Sequence, residues 1–286
     1  MTTTIIKGAE VSRPSTDPLK SSVLDHATVV ENVQHFGLRN DAGMWNTYSG
    51  LDLLVPTKIC PDPLTMHVYR TAPWVPGLTF ALQGGVRCAA LSLDVADQKK
   101  EVERVFGLNE GKGIEMALLR NRFIARADDP ANPQDGSWPA PVNVTPVAAV
   151  PLFVALALLE GYAATAYAGI PTIHMTRAAG SLLGDKILWE GDKAFTRSGA
   201  KVAMGGGYDS TTVPMSNKWD LYATGEVYVE RSESISIQTY VLPGDGSGVG
   251  PGQNQLEDNT VISLAERMYR VAIDGFVAKS TATVWA

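Results

Sequence analysis

Three features of the sequence predict an α+β fold built from many short elements. The 286 residues include 27 Gly and 17 Pro, too many chain breakers for a helical bundle. Hydrophobic residues at 45% against charged residues at 19% supply a sizeable core. Beyond residue 146, helical and strand-like apolar patterns alternate.

The remaining bulk properties exclude several classes. A net charge of −6 and a pI near 5.3 oppose tight nucleic-acid binding by the general surface, which needs a basic stripe to displace counterions. Two cysteines, Cys60 and Cys88, make neither a disulfide framework nor a four-ligand zinc site, so synthesis in a reducing compartment is expected. The opening MTTTIIKGAEVSRPSTDPLK has no basic head followed by an apolar run, and so is not read as a signal peptide. Val147 to Ala168 is the longest apolar stretch, but Pro151 and Glu160 interrupt it. A buried helix is expected there and no transmembrane segment.

In chain order, residues 1 to about 30 are rich in Thr, Ser and Pro and predict an arm that orders only against something else. Trp45 to Gly85 holds Pro56, Pro61, Pro63, Pro73 and Pro76 around the strand-like pieces Leu51–Val55, Leu64–Arg70 and Leu78–Leu82. That spacing excludes a helix and predicts a projecting hairpin. Gly84-Gly85 leads into a second strand, Val86–Leu93, and Asp94 or Asp97 is placed to cap the helix that follows. Asp97 to Phe123 reads as two helical pieces or one long bent helix, because Gly107, Gly111 and Gly113 interrupt its apolar face.

Residues 127–146 form a Pro/Asp/Asn linker. A helix follows from about Pro151, where proline is tolerated, and stops at Gly169. Next come a strand at Ile170–Met175, a short helix capped by Thr176 and ended by Gly184, and strands at Lys186–Trp189 and Ala200–Met204. After the Gly205-Gly206-Gly207 loop, Leu221–Glu230 and Ile235–Leu242 read as a hairpin pair. Pro243–Gln255 is a glycine-rich loop, and the chain ends in strand-like ATVW.

Little in this pattern carries chemistry. His26, His35, His67 and His174 show no i, i+4 metal spacing, and His174 on a predicted buried strand reads as a satisfied core or interface histidine. Ala179 to Gly184 lacks the nucleophile-elbow spacing. The Met204-Gly205-Gly206-Gly207-Tyr208-Asp209 run follows a strand but precedes no helix, so it reads as a turn without phosphate-binding amides. No catalytic, cofactor-binding or metal-ligating residue is assigned.

Four stretches taken together resemble one family. They are LEGYAATAYAGIPTIHM, GDKAFTRSGAKVAMGGGYD, LYATGEVYVERSE and the closing run from Asn259 to Ala278, with its apolar strand, an Ala265-Glu266-Arg267 turn of charge and a final small-plus-Phe motif. In these stretches and in the order of elements, the chain from about Trp45 onward resembles the major capsid proteins of tailed bacteriophages, the Hong Kong 97 fold. The likeness is strongest to actinobacterial, mycobacteriophage-like siphophage proteins.

The resemblance implies an N-terminal arm over residues 1–45 and an E-loop hairpin over 46–85. A peripheral domain with the spine helix would occupy 86–144 and an axial domain 145–220. Peripheral strands and a loop would span 221–262, with a return to the axial domain over 263–286. It further implies assembly of the chain with itself, as hexamers and pentamers, into an icosahedral virion shell around double-stranded DNA. Assembly would occur in the bacterial host cytoplasm, with no membrane role and no enzymatic one. A separate scaffolding protein and a portal are implied partners, with decoration proteins an open option.

Trp45, Tyr69 and Trp74 on the extended segments are candidate subunit-interface anchors, with packing inside their own subunit the alternative. Lys58 with Asn254 or Asn259 is a conceivable crosslink, and none is expected. The alternatives are an encapsulin shell of the same fold, a soluble enzyme using the GGGYD loop, and a tail-tube or decoration subunit.

Overall fold

The computed structural model describes residues 17–33, 44–45, 75–76, 78–89, 95–119, 141–167, 169–208, 217–242, 260–274 and 276–283. They form an α+β architecture of two main sheets, each with its own helix.

The smaller main sheet is built on β14 (Thr260–Ile273). It pairs along one edge with β4 (Leu78–Ala89), from Thr260 opposite Ala89 to Val271 opposite Leu78. A strand has two edges, so the second is shared end to end by β13 (Ser236–Leu242) and β12 (Val227–Ser232). Outside β12 lies β1 (Thr28–Val33), which runs parallel to it. Across this sheet packs α2 (Val95–Leu118), one helix of 24 residues and about 36 Å. Val102, Phe106, Ile114 and Leu118 project from it into a core with Val229, Ala265, Tyr269 and Val271.

The larger sheet runs in the order β5 (Val142–Asn143), β15 (Val277–Thr283), β11 (Lys218–Thr224), β7 (Thr172–His174), β10 (Lys201–Ala203), β9 (Lys193–Thr196) and β8 (Ile187–Glu190). Strand β6 (Val150–Pro151) also pairs with β15. Against this sheet lies α3 (Leu152–Ala166). Leu152, Ala155, Leu156, Leu159 and Ala163 recur at helical spacing and meet Leu221, Ala223, Ala278 and Ala282. The short helix α4 (Arg177–Leu183) is capped by Thr176, whose hydroxyl accepts from the Ala179 amide, and ends at Gly184 with φ +52°. A two-residue pair, β2 (Met44–Trp45) with β3 (Val75–Pro76), completes the described strands.

The two cores meet through β11. Its alternation sends Leu221 and Ala223 into the α3 core and Tyr222 into the α2 core, so all three side chains are buried. The sheets are also joined by one ribbon. Strand β11 pairs with β15 and β12 with β14, and both chains change sheet at the same level. There the Gly225 amide donates to Phe276 O and the Asp274 amide to Glu226 O. A Cβ on Gly225 would lie 2.7 Å from Asp274 Cβ and 3.0 Å from the Tyr167 ring, so glycine is required at the bend.

Several expectations are corrected. Leu78–Leu82 and Val86–Leu93 are not two strands: β4 runs unbroken through Gly84-Gly85, because a long partner strand pairs with every residue. Leu221–Glu230 is not half of a hairpin with Ile235–Leu242; it bends at Gly225, and its partner is the ribbon of β14 and β15. Ala265-Glu266-Arg267 is no turn, since it sits inside β14. Asp97 lies in the first turn of α2 and is not its cap. Of the two readings of this run the single long helix holds: Gly107, Gly111 and Gly113 do not break α2, whose apolar face is held by tertiary packing. The Val147–Ala168 stretch is buried on one face only, with Phe153 exposed. The arm is not wholly dependent on another molecule: residues 17–33 order against their own chain. Strand β9 was not foreseen. Residues 51–55, 64–70, 209–216 and 243–255 lie outside the described residues.

Candidate functional site

Extended arm, long helix and glycine loop converge on one carboxylate. Glu115 lies on the inner face of α2 and is fully buried. Its Oε1 accepts from the Val23 amide at 2.9 Å and the Gly205 amide at 3.1 Å, and its Oε2 from the Gly207 amide at 2.9 Å. The glycine loop is therefore an anion cradle whose anion is supplied by the chain itself. Successive N–H groups at a turn form such a concavity without any helix terminus. Space explains the residue type: a Cβ on Gly205 would lie 2.3 Å from the Glu115 carboxylate, and one on Gly207 2.3 Å from Lys112 O. Burial raises the Glu115 pKa to about 7, against the lowering effect of the three amides, and Asp25 adds to the rise.

The arm segment brings its own structure to this point. Ser22 and Asp25 form a capping box over the single turn α1 (Val23–His26), with the Ser22 amide donating to Asp25 Oδ2 at 2.7 Å. Ser21 is buried at φ +58°, and its hydroxyl donates to Val202 O at 2.6 Å while accepting from the Ala194 amide at 3.0 Å. Because that hydrogen is committed, His26 Nε2, 2.9 Å from Ser21 Oγ, carries the proton of this contact. The His26 ring stands edge-on to Phe195 at 5.5 Å, and burial lowers its pKa to about 4. Arg177 donates from Nη1 to Lys20 O at 3.0 Å and to Met204 O at 3.3 Å, tying arm to loop.

Beside the cradle, His174 is buried between Tyr208 and Thr224. Thr224 Oγ1 donates to Gly225 O at 2.9 Å, which leaves it to accept from His174 Nε2 at 2.8 Å. Tyr208 then donates to His174 Nδ1 at 2.6 Å. This is the satisfied core histidine expected from the sequence; burial lowers its pKa to about 3. Five residues before Glu115 on α2, Glu110 Oε1 accepts from Tyr269, Arg231 and Arg267 at 2.7, 2.8 and 3.3 Å. Arg231 also meets Glu31 of the arm strand.

Of the predicted interface residues, Trp45 lies on β2 opposite Val75, while Tyr69 and Trp74 fall outside the described residues. Lys58, Asn254 and Asn259 also fall outside. Exposed apolar groups that sequence reasoning missed are Phe153, Leu182, Leu188 and Trp189. Glu115 and Glu110 were missed as well, because nothing in a linear sequence marks which helical carboxylate faces inward. Among the described residues, no group of three or more His, Cys, Asp or Glu could hold a metal ion, and no helix is long and apolar enough to cross a membrane.

No family model matches the chain, and no curated relative does. Solved structures do resemble it. A chain from Mycobacterium phage Cain is 14% identical, with 94% of this chain and 91% of that one covered and a TM-score of 0.48. One from Gordonia phage Cozz is 11% identical, covering 99% and 92%, with a TM-score of 0.49. One from the Cyanophage Pam1 capsid asymmetric unit is 11% identical, covering 99% and 98%, with a TM-score of 0.48.

Proposed function

We propose that this chain is a shell-forming structural protein, the major capsid protein of a tailed phage, with no catalytic step. The observation that carries the reading is the order and geometry of its elements. An arm strand, β4, a single 24-residue helix lying along the β4–β14 ladder, a second sheet with its own helix, and a return through both sheets follow one another. That is the order which the sequence resemblance implies for arm, peripheral domain with spine helix, and axial domain. A long helix packed on a long ladder makes a stiff beam, and the doubled ribbon at Gly225 couples it to the second sheet. A shell subunit needs such a body to transmit load between neighbours.

On this reading copies of the chain associate as hexamers and pentamers around double-stranded DNA in the virion. A scaffolding protein and a portal take part in assembly in the bacterial cytoplasm, decoration proteins stay an open option, and Trp45, Tyr69 and Trp74 anchor contacts between copies. The excess negative charge suits a wall that contains DNA without gripping it. Negative-stain electron microscopy with light scattering on the purified chain tests it. Closed shells, capsomer rings or spirals are expected. Small uniform shells formed without scaffold would transfer the reading to an encapsulin. A monodisperse monomer at high concentration, unmoved by scaffold, would overturn it.

A further inference from the structure

We propose that residues 17–33 form a releasable strap seated on the Glu115 cradle, which leaves the body as one unit while both sheets stay folded. The strap touches the body through an apolar patch and a set of polar contacts. Val23 is fully buried in the α2 core with Leu24, Ala27 and Val29 packed beside it. The polar anchors are the Val23 amide on Glu115, the Ser21 hydroxyl, the Ser21 carbonyl accepting from the Met204 amide at 2.8 Å, and the Lys20 carbonyl on Arg177. Among the described residues its strand β1 pairs only with β12, at the sheet's margin, so release breaks one of the described ladders and leaves the β12–β14–β4 ladders whole. The capping box and the Ala27-to-Val23 bond are internal to the strap and need not open with it. The α2 contacts that hold the sheet, through Phe106, Glu110, Ile114 and Leu118, lie outside the strap. Ser21 meanwhile holds a left-handed φ of +58°, a conformation that release relaxes.

Two buried ionisable groups sit at the seat, with Asp25, Lys112, Lys193, Lys201, Arg177, His174 and Tyr208 facing them from the surrounding elements. Glu115 keeps the Gly205 and Gly207 amides when the strap leaves, so its raised pKa belongs to the body whether the strap is seated or not. His26 leaves with the strap. At about 4 in the seat against its ordinary 6.5, it supports docking above pH 6.5 and withdraws that support as pH falls through about 4. The inference concerns the isolated chain and stands whether or not that chain builds a shell.

Hydrogen exchange with mass spectrometry on the full chain tests this, with opening constants corrected for intrinsic exchange. In the wild-type chain, strap amides should open well before those of α3 and β7, and their opening should rise as pH falls from 6.5 to 5, by up to about tenfold per pH unit, the limit for one proton. In His26→Gln that dependence should be lost. Strap and α3 amides exchanging together in the wild-type chain would overturn the separate unit. A wild-type opening profile flat over that range, or a slope unchanged in His26→Gln, would overturn the part given to His26. Should His26→Gln fail to fold, the wild-type profile decides alone.

Discussion

The Tyr269 hydroxyl donates to Glu110 Oε1 at 2.7 Å, joining the middle of the long helix to the middle of the long strand. Arg231 and Arg267 converge on the same oxygen, and Tyr269, Arg267 and Glu110 are largely withdrawn from water. Removing this carboxylate takes the ion-pair partner from buried Arg267 and the acceptor from the tyrosine, while Arg231 keeps Glu31. Burial and the adjacent Glu110 hold the tyrosine in its neutral, donating form.

Replacing Glu110 with Ala should therefore cost about 3–5 kcal/mol, the usual result of leaving a buried ion pair unpaired. Tyr269→Phe, which loses one bond to a charged acceptor, should cost about 1.5–3 kcal/mol. Chemical denaturation of the unassembled variants measures both. Equal losses would show that the arginines do not depend on Glu110.

Glycines separate by what surrounds them. Gly207→Ala should destabilise by about 3 kcal/mol, since its Cβ would meet Lys112 O at 2.3 Å and Met116 N at 2.8 Å, both backbone atoms. Gly161→Ala, on α3 with nothing within 4 Å, should stabilise by about 0.4–1 kcal/mol. Thermal melts of the two variants should move in opposite directions.

The α3 core predicts a further contrast. Leu159→Ala empties a fully buried position and should cost about 2–5 kcal/mol. Phe153→Ala, one and a half turns earlier on the exposed face, should leave the unassembled chain within about 0.5 kcal/mol of wild type. A large loss at Phe153 would mean that this face is covered in the free chain.

His174 sets part of the acid limb. Its folded pKa lies below its ordinary value, so its contribution is whole above pH 6.5 and is lost as pH falls toward about 3. His174→Gln should lower stability at pH 7, yet flatten the stability profile between pH 6.5 and 3. Urea midpoints across that range provide the check, and an unchanged acid slope would remove His174 from the account.

Much of the architecture was legible residue by residue. Thr176 and Gly184 bracket α4 because a hydroxyl cap and a left-handed glycine are local devices, readable without knowing the fold. Leu152, Ala155, Leu156, Leu159 and Ala163 declare α3 by spacing alone. His174 was legible as a core residue because its neighbours in sequence are apolar on both sides.

What escaped depends on distant partners. The continuity of β4 through Gly84-Gly85 comes from β14, nearly 180 residues later, and the bend at Gly225 comes from Asp274 and Tyr167. Glycine propensity argues for a break in both places, and the structure has one at only the second. Local chemistry, in caps, periodicity and turn residues, is determined by the sequence because it needs only neighbours within a few positions. Which carboxylate lies under the glycine loop, which strand pairs with which, and whether the arm docks were decided by the tertiary structure. The Glu115 contacts and the β4–β14 ladder join segments 90 or more residues apart, so no local run of sequence displays them.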